Sequence, residues 1–282
     1  MPTSAQEECV PIFSKDDDVN RLWDGLLSAV LEAGRAILQM RCDGLAIDRK
    51  SDGSPVTEAD RRAEAILERA LHRLAPRIPV IAEESAAQAR APRAARQMFL
   101  VDPLDGTRGY AAGRDDFTIN IGFISDGRPV AGLIYAPARG EVFATQGETC
   151  AIAARVDPGS TTRTLRELNP VSISARVPCP GGLVALTSRA EQTQAFRDRL
   201  SALGITESSG FSSAIKFCLL ARGEADIYPR FGPTCEWDTA AGEAILTAAG
   251  GSVRDLDGAP LTYGREQSAY LNPAFVARGR VA

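Results

Sequence analysis

The chain has 282 residues, 44% hydrophobic and 24% charged, with no stretch dominated by one residue type, which excludes a disordered polypeptide and allows one large domain or two packed lobes. A formal net charge of −4 and an isoelectric point near 5.3 exclude a general affinity for nucleic-acid backbone, so an anionic ligand must find local positive charge or bound cations. Six scattered cysteines, Cys9, Cys42, Cys150, Cys179, Cys218 and Cys235, include no C-x-x-C pair, which argues against zinc ribbons and thioredoxin-like chemistry and reads as reduced core thiols.

Met1 to Lys15 carries Glu7 and Glu8 and no basic-then-apolar leader, and no apolar run approaches membrane-spanning length; a cytoplasmic protein is expected. From Val19 to Arg41 apolar residues recur at helical spacing, predicting an amphipathic helix. A second helix is predicted over Glu58 to Leu74, capped by Thr57 and ended by Pro76, with the lone histidine, His72, in a structural or surface role. Strands follow at Val80 to Ala82, Met98 to Val101, Phe117 to Ser125, Val130 to Tyr135 and Glu141 to Thr145, the middle pair joined through an Asp126-Gly127 turn. Beyond a Pro/Thr/Arg-rich stretch from Asp157 to Pro170 the pattern alternates: strand Leu183 to Thr187, helix Ala190 to Leu203, helix Ser212 to Ala221, strand Asp226 to Phe231 and helix Thr239 to Ala249. An N-terminal α+β lobe over 1–156 and a C-terminal α/β lobe over 157–282 are expected.

The most informative stretch is Phe99-Leu-Val-Asp102-Pro-Leu-Asp105-Gly-Thr107, where an apolar strand runs into two carboxylates. With Asp102 leaving the strand and Asp105 returning three positions later, both carboxylates and the Leu104 carbonyl can face one point as hard oxygen ligands suited to Mg²⁺. Gly106 leaves room for a ligand at the backbone, and Thr107 can open a helical turn whose N–H groups meet an anion. A plain D-P-x-D-G turn explains these residues equally well on their own. Further acidic residues stand at element ends: Asp60, Glu83, Glu84 and Asp238. Helix capping accounts for Asp60 and Asp238 individually.

Gly53-Ser-Pro-Val-Thr-x-Ala-Asp60, Ala82-Glu-Glu-Ser85, Asp102-Pro-Leu-Asp-Gly-Thr107 and Trp237-Asp-Thr-Ala-Ala-Gly242 together resemble, in order and spacing, the signatures of the lithium-sensitive inositol monophosphatase superfamily. The resemblance implies a layered α/β/α/β/α sandwich and two or three Mg²⁺ ions held by Glu83, Asp102, Asp105, Asp238 and the Leu104 carbonyl. It also implies that Gly106 and Thr107 seat the scissile phosphate while Asp60 pairs with Thr107 to activate water for in-line attack, so that Asp60, Glu83 and Thr107 are the expected catalytic group.

Gly210-Phe-Ser-Ser-Ala-Ile-Lys216-Phe-Cys and Ile227-Tyr-Pro-Arg230-Phe-Gly-Pro-Thr resemble the 3'(2'),5'-bisphosphate nucleotidases of that superfamily, especially their bacterial branch. A substrate with two phosphates needs a cationic seat away from the metals. Lys216 and Arg230 can supply it, with Ser213 and Asp238 as further substrate contacts. The implied substrate is adenosine 3',5'-bisphosphate, with its sulfated precursor as a second. Glu191, in Thr187-Ser188-Arg189-Ala-Glu191, departs from this branch, which often has a histidine shortly after the serine-arginine pair. Inositol monophosphatase is the first alternative and a non-catalytic binding protein of the same fold the second. The sequence alone does not decide between monomer and homodimer; the resemblance implies that nucleotidases of this type are often monomeric and inositol-specific members usually dimeric, and loose attachment to the inner membrane is a family-level expectation. The P-loop pattern is absent, no cysteine begins C-x-x-x-x-x-R, and Asp255-Leu-Asp257-Gly reads as a turn.

Overall fold

The computed structural model describes residues 16–43, 47–49, 55–178, 181–189, 191 and 193–280. Cys9, Cys179, the segment Met1 to Lys15, the first residues of the Gly53 signature, and Ala190 at the expected helix start lie outside them. In chain order the elements are helix α1 (Asp16–Asp43), strands β1 (Ile47–Arg49) and β2 (Pro55–Thr57), α2 (Glu58–Leu74), β3 (Val80–Ala82), α3 (Glu83–Ala87), β4 (Gln97–Asp105), α4 (Thr107–Ala111), β5 (Thr118–Ser125), β6 (Arg128–Ala136), β7 (Glu141–Thr145), β8 (Ala151–Arg155) and β9 (Val171–Ile173). Then come β10 (Leu183–Ser188), α5 (Gln194–Ala202), β11 (Ile205–Phe211), α6 (Ile215–Ala221), β12 (Ile227–Arg230), α7 (Glu236–Ala248), β13 (Ser252–Asp255) and β14 (Phe275–Arg278).

Seven strands form a sheet in the order β3-β4-β5-β6-β7-β8-β9, antiparallel except for the β3–β4 pair. Asp126 and Gly127 close the β5–β6 hairpin, both with positive φ, as the primed two-residue turn requires. Five strands form the second sheet, β11-β10-β12-β14-β13. Side-chain alternation sends Phe99, Val101, Phe123, Leu133 and Tyr135 from one face of the larger sheet into a core with α1 and α2. Leu100, Ile124, Ile134 and Phe143 from the opposite face pack with α6, α7 and the second sheet, and α5 lies on β11. The layering is therefore the expected α/β/α/β/α sandwich.

Helix α7 lies against β5 and β6 at backbone distance. A Cβ added at Gly122 would stand 2.7 Å from the Ala240 Cβ, and one at Gly132 would stand 2.9 Å from the Ala241 Cα. Only glycine lets helix and sheet meet this closely.

Several expectations need correction. Asp102 does not leave the strand; β4 runs on to Asp105 through a register irregularity between Asp102 and Asp105, a bulge that accommodates Pro103, which has no N–H to give the ladder. Asp238 lies inside the first turn of α7 rather than before it, because the helix starts at Glu236. Helix α6 begins at Ile215, since Ser213 has a φ of 56° and cannot be helical. Cys42 is exposed and Cys150 and Cys235 are half-buried, so among the described cysteines only Cys218 is a core thiol.

Candidate active site

Every residue expected in the site except Asp60 lines a single cavity of about 620 Å³: Glu83, Asp102, Leu104, Asp105, Gly106, Thr107, Ser213, Lys216, Arg230 and Asp238. Asp60 is buried beside it in the first turn of α2. Its Oδ2 accepts from the Thr57 N–H (2.7 Å) and hydroxyl (2.6 Å), while its Oδ1 stands 3.2 Å from the Thr107 hydroxyl. Asp60 therefore caps α2 and stands beside the Thr107 hydroxyl at the same time. The single Thr107 proton is shared between Asp60 and the Leu104 carbonyl, 3.0 Å away.

The carboxylates come from different elements. Glu83 opens α3 at the end of β3, Asp102 and Asp105 flank the β4 bulge, and Asp238 belongs to the capping box of α7. An N–H group holds one oxygen of each aspartate. Leu104 N donates to Asp102 Oδ1 (2.9 Å), Cys235 N to Asp238 Oδ2 (2.8 Å), and both Ala214 N (2.5 Å) and the Asn120 amide (3.2 Å) to Asp105 Oδ2. The second oxygen of each is left without a hydrogen bond among the described residues. Burial raises the Asp102 and Asp238 pKa values well above the carboxylate range. Repulsion from Glu83, Asp105 and Asp238 adds to the shift at Asp102, and repulsion from Asp105 and Glu83 at Asp238. Burial also raises Asp105, although Lys216 opposes the rise.

Among the described residues, no three acidic, histidine or cysteine side chains are already drawn around a single point. The carboxylates line one cavity instead. Hard, desolvated, mutually repelling oxygens with fixed partner bonds fit Mg²⁺.

Gly106 and Thr107 stand at the start of α4. Gly106 caps α4 with a φ of 90°, and a Cβ there would stand 3.3 Å from the Ser213 Cβ, narrowing the cavity. Ser213 is more committed than its sequence position suggested. Its hydroxyl donates to the Asp116 carbonyl (2.6 Å) and accepts from Ile215 N (3.2 Å).

Lys216 is not a solvent-facing helix residue. It is 3% exposed, donates to the Ser213 carbonyl (2.5 Å) and sits 4.9 Å from the Tyr228 ring centre; burial pushes its pKa down to about 8 against the pull of Asp105. Arg230 donates to the Pro233 carbonyl (2.9 Å) and faces Glu191 at 3.7 Å.

Sequence reasoning missed Arg108, Arg114 and Arg189, which line the same cavity, and Asp116, which joins the halves by accepting from Ser212 N (2.7 Å) and Arg189 (3.2 Å). Asn120 was visible as a polar residue in the apolar run Ile119-Asn120-Ile121, and Arg189 stood in the serine-arginine pair already noted; Arg108 and Arg114 carried no local signal.

The chain belongs to the inositol monophosphatase family, whose family model matches residues 19–280. Within that family it is similar to the 3'(2'),5'-bisphosphate nucleotidase CysQ of Shigella flexneri, with 38% identity over 256 residues covering 89% of this chain and 97% of that protein. The CysQ nucleotidase of Escherichia coli is 35% identical over 260 residues, with the same coverage. A crystal structure of CysQ from Bacteroides thetaiotaomicron superposes with a TM-score of 0.73 at 30% identity, covering 93% of this chain and 98% of that one. An inositol monophosphatase from Zymomonas mobilis superposes at 0.70 with 26% identity, covering 95% and 94%. Among the described residues no helix is long and apolar enough to cross a membrane.

Proposed function

We propose that the protein is a Mg²⁺-dependent phosphomonoesterase that hydrolyses adenosine 3',5'-bisphosphate to AMP and phosphate in the cytoplasm, with the 5'-phosphosulfate analogue as a second substrate. The observation that carries this reading is the presence, in one cavity, of the carboxylates together with Lys216 and Arg230. A substrate bearing two anionic groups matches both. The names of the CysQ relatives support the same choice.

In this reading Glu83, Asp102, Asp105, Asp238 and the Leu104 carbonyl hold two or three Mg²⁺ ions. When bound, these supply Lewis-acid polarisation of the phosphate and lower the pKa of the attacking water. Thr107, with Asp60 as acceptor behind its hydroxyl, orients that water and passes its proton toward Asp60 Oδ1. Gly106 and the start of α4 present backbone N–H groups to the scissile phosphate. Lys216 and Arg230 hold the other phosphate, Arg230 through a planar guanidinium suited to it, while Ser213 shapes the wall between the two seats.

A rate panel with Mg²⁺ tests the assignment, using adenosine 3',5'-bisphosphate, its phosphosulfate analogue and inositol 1-phosphate, each with and without Li⁺. The bisphosphate is expected to turn over fastest and Li⁺ to inhibit. Faster hydrolysis of inositol 1-phosphate would reassign the substrate, and no Mg²⁺-dependent turnover of any of the three would favour a binding protein.

A further inference from the structure

Arg230 and Glu191 form an ion pair that is incomplete on both sides. Their nearest atoms, Arg230 Nη1 and Glu191 Oε2, are 3.7 Å apart, beyond hydrogen-bond length. Arg230 Nε and Glu191 Oε2 are buried without a hydrogen-bond partner. The other Glu191 oxygen is well used, because it accepts the Gly232 N–H in a short hydrogen bond and so ties down the turn after β12. Arg230 lines the cavity and Glu191 does not. The carboxylate is thus placed to support the guanidinium without meeting the ligand.

The guanidinium is only partly satisfied by its own surroundings, and because Arg230 lines the cavity an anionic group entering it meets that charge. Glu191 acts on that event in two opposing ways. Its charge offsets part of the arginine's and weakens the attraction, while its bond to Gly232 holds the turn that carries Arg230 in place. We infer that Glu191 is a positioning residue that sets how strongly Arg230 holds the second anionic group of the substrate, and so sets the enzyme's preference for two phosphates over one. The inference rests on the nucleotidase reading, and it assigns a role to the residue that departs from the branch pattern.

Glutamine at 191 separates the two effects, since its carbonyl still accepts from Gly232 N but carries no charge. Wild type and Glu191→Gln are compared on adenosine 3',5'-bisphosphate and adenosine 3'-monophosphate, with AMP inhibition measured in parallel. The expected result is a KM for the bisphosphate lowered roughly three- to tenfold relative to that for the monophosphate, the effect of one screened charge a few ångströms from the seat. AMP inhibition should tighten by the same factor.

Gly232→Ala tests the other effect, because its added Cβ would run into Glu191 Oε1 and break the tie to the turn that carries Arg230 without altering any charge. It should shift the same ratio in the opposite direction. A bisphosphate KM that rises or stays unchanged in Glu191→Gln, or moves equally for both substrates, or a Gly232→Ala ratio that does not shift the opposite way, overturns the inference while wild-type turnover upholds the nucleotidase reading. A wild type inactive on the bisphosphate overturns both.

Discussion

Glu243 sits on α7 away from the cavity and is 8% exposed; its Oε2 is 2.5 Å from the Tyr263 hydroxyl, which is itself 3.1 Å from the Thr239 hydroxyl. Burial pushes its pKa up from 4.5 to about 7, against the bond from Tyr263 and the distant charges of Arg128 and Arg254. Between those two values the unfolded chain has released the proton and the folded chain keeps it, so folding binds a proton and stability must fall as pH rises. The rise in pKa corresponds to about 3 kcal/mol, absent below pH 4.5 and fully expressed above pH 7. Glu243→Gln keeps the shape and an acceptor for the Tyr263 hydroxyl but does not titrate. Urea unfolding of both proteins at pH 5 and pH 8 should therefore show the variant gaining on wild type by about 2–3 kcal/mol across the interval. Other titrating groups are common to both proteins and cancel. A stability difference that does not change with pH would refute the assignment of a neutral, buried Glu243.

Asp105→Asn should lower Mg²⁺-dependent turnover by more than about 100-fold, beyond what losing a mere supporting partner costs, while circular dichroism shows the fold retained. Removing divalent ions with EDTA should lower the melting temperature and saturating Mg²⁺ should restore it, by about 2.7 kcal/mol at a hundredfold excess over Kd; an unchanged melting temperature would argue against a preformed metal site. Gly132→Ala should destabilise by about 1–3 kcal/mol in urea unfolding, because the new Cβ meets the backbone of Ala241 and neither element can yield alone.

Where local chemistry decides an outcome, the sequence was sufficient. Thr57 and Pro76 bound α2 correctly, and Asp126-Gly127 named its own turn. The acidic residues could be grouped only because four separated signatures matched one family in order. No spacing rule brings Glu83 and Asp238 to the same wall, since that depends on how the sheets stack.

The missed strands explain themselves physically. Ile205–Phe211 reads Ile-Thr-Glu-Ser-Ser-Gly-Phe because it is an edge strand, and Phe275–Arg278 is only four residues long. The pairing of Arg230 with Glu191 is invisible for the same reason: it crosses thirty-nine positions and depends on the turn at Gly232.

The glycine-lined contact of α7 with β5 and β6 has a consequence for how activity arises. Asp238 is delivered by a helix made late in synthesis and docked on a surface made early, so a nascent chain that ends before residue 236 has the other three carboxylates but no fourth. The bare strip of sheet around Gly122 and Gly132 would wait for its helix, leaving the unfinished chain sticky along that face.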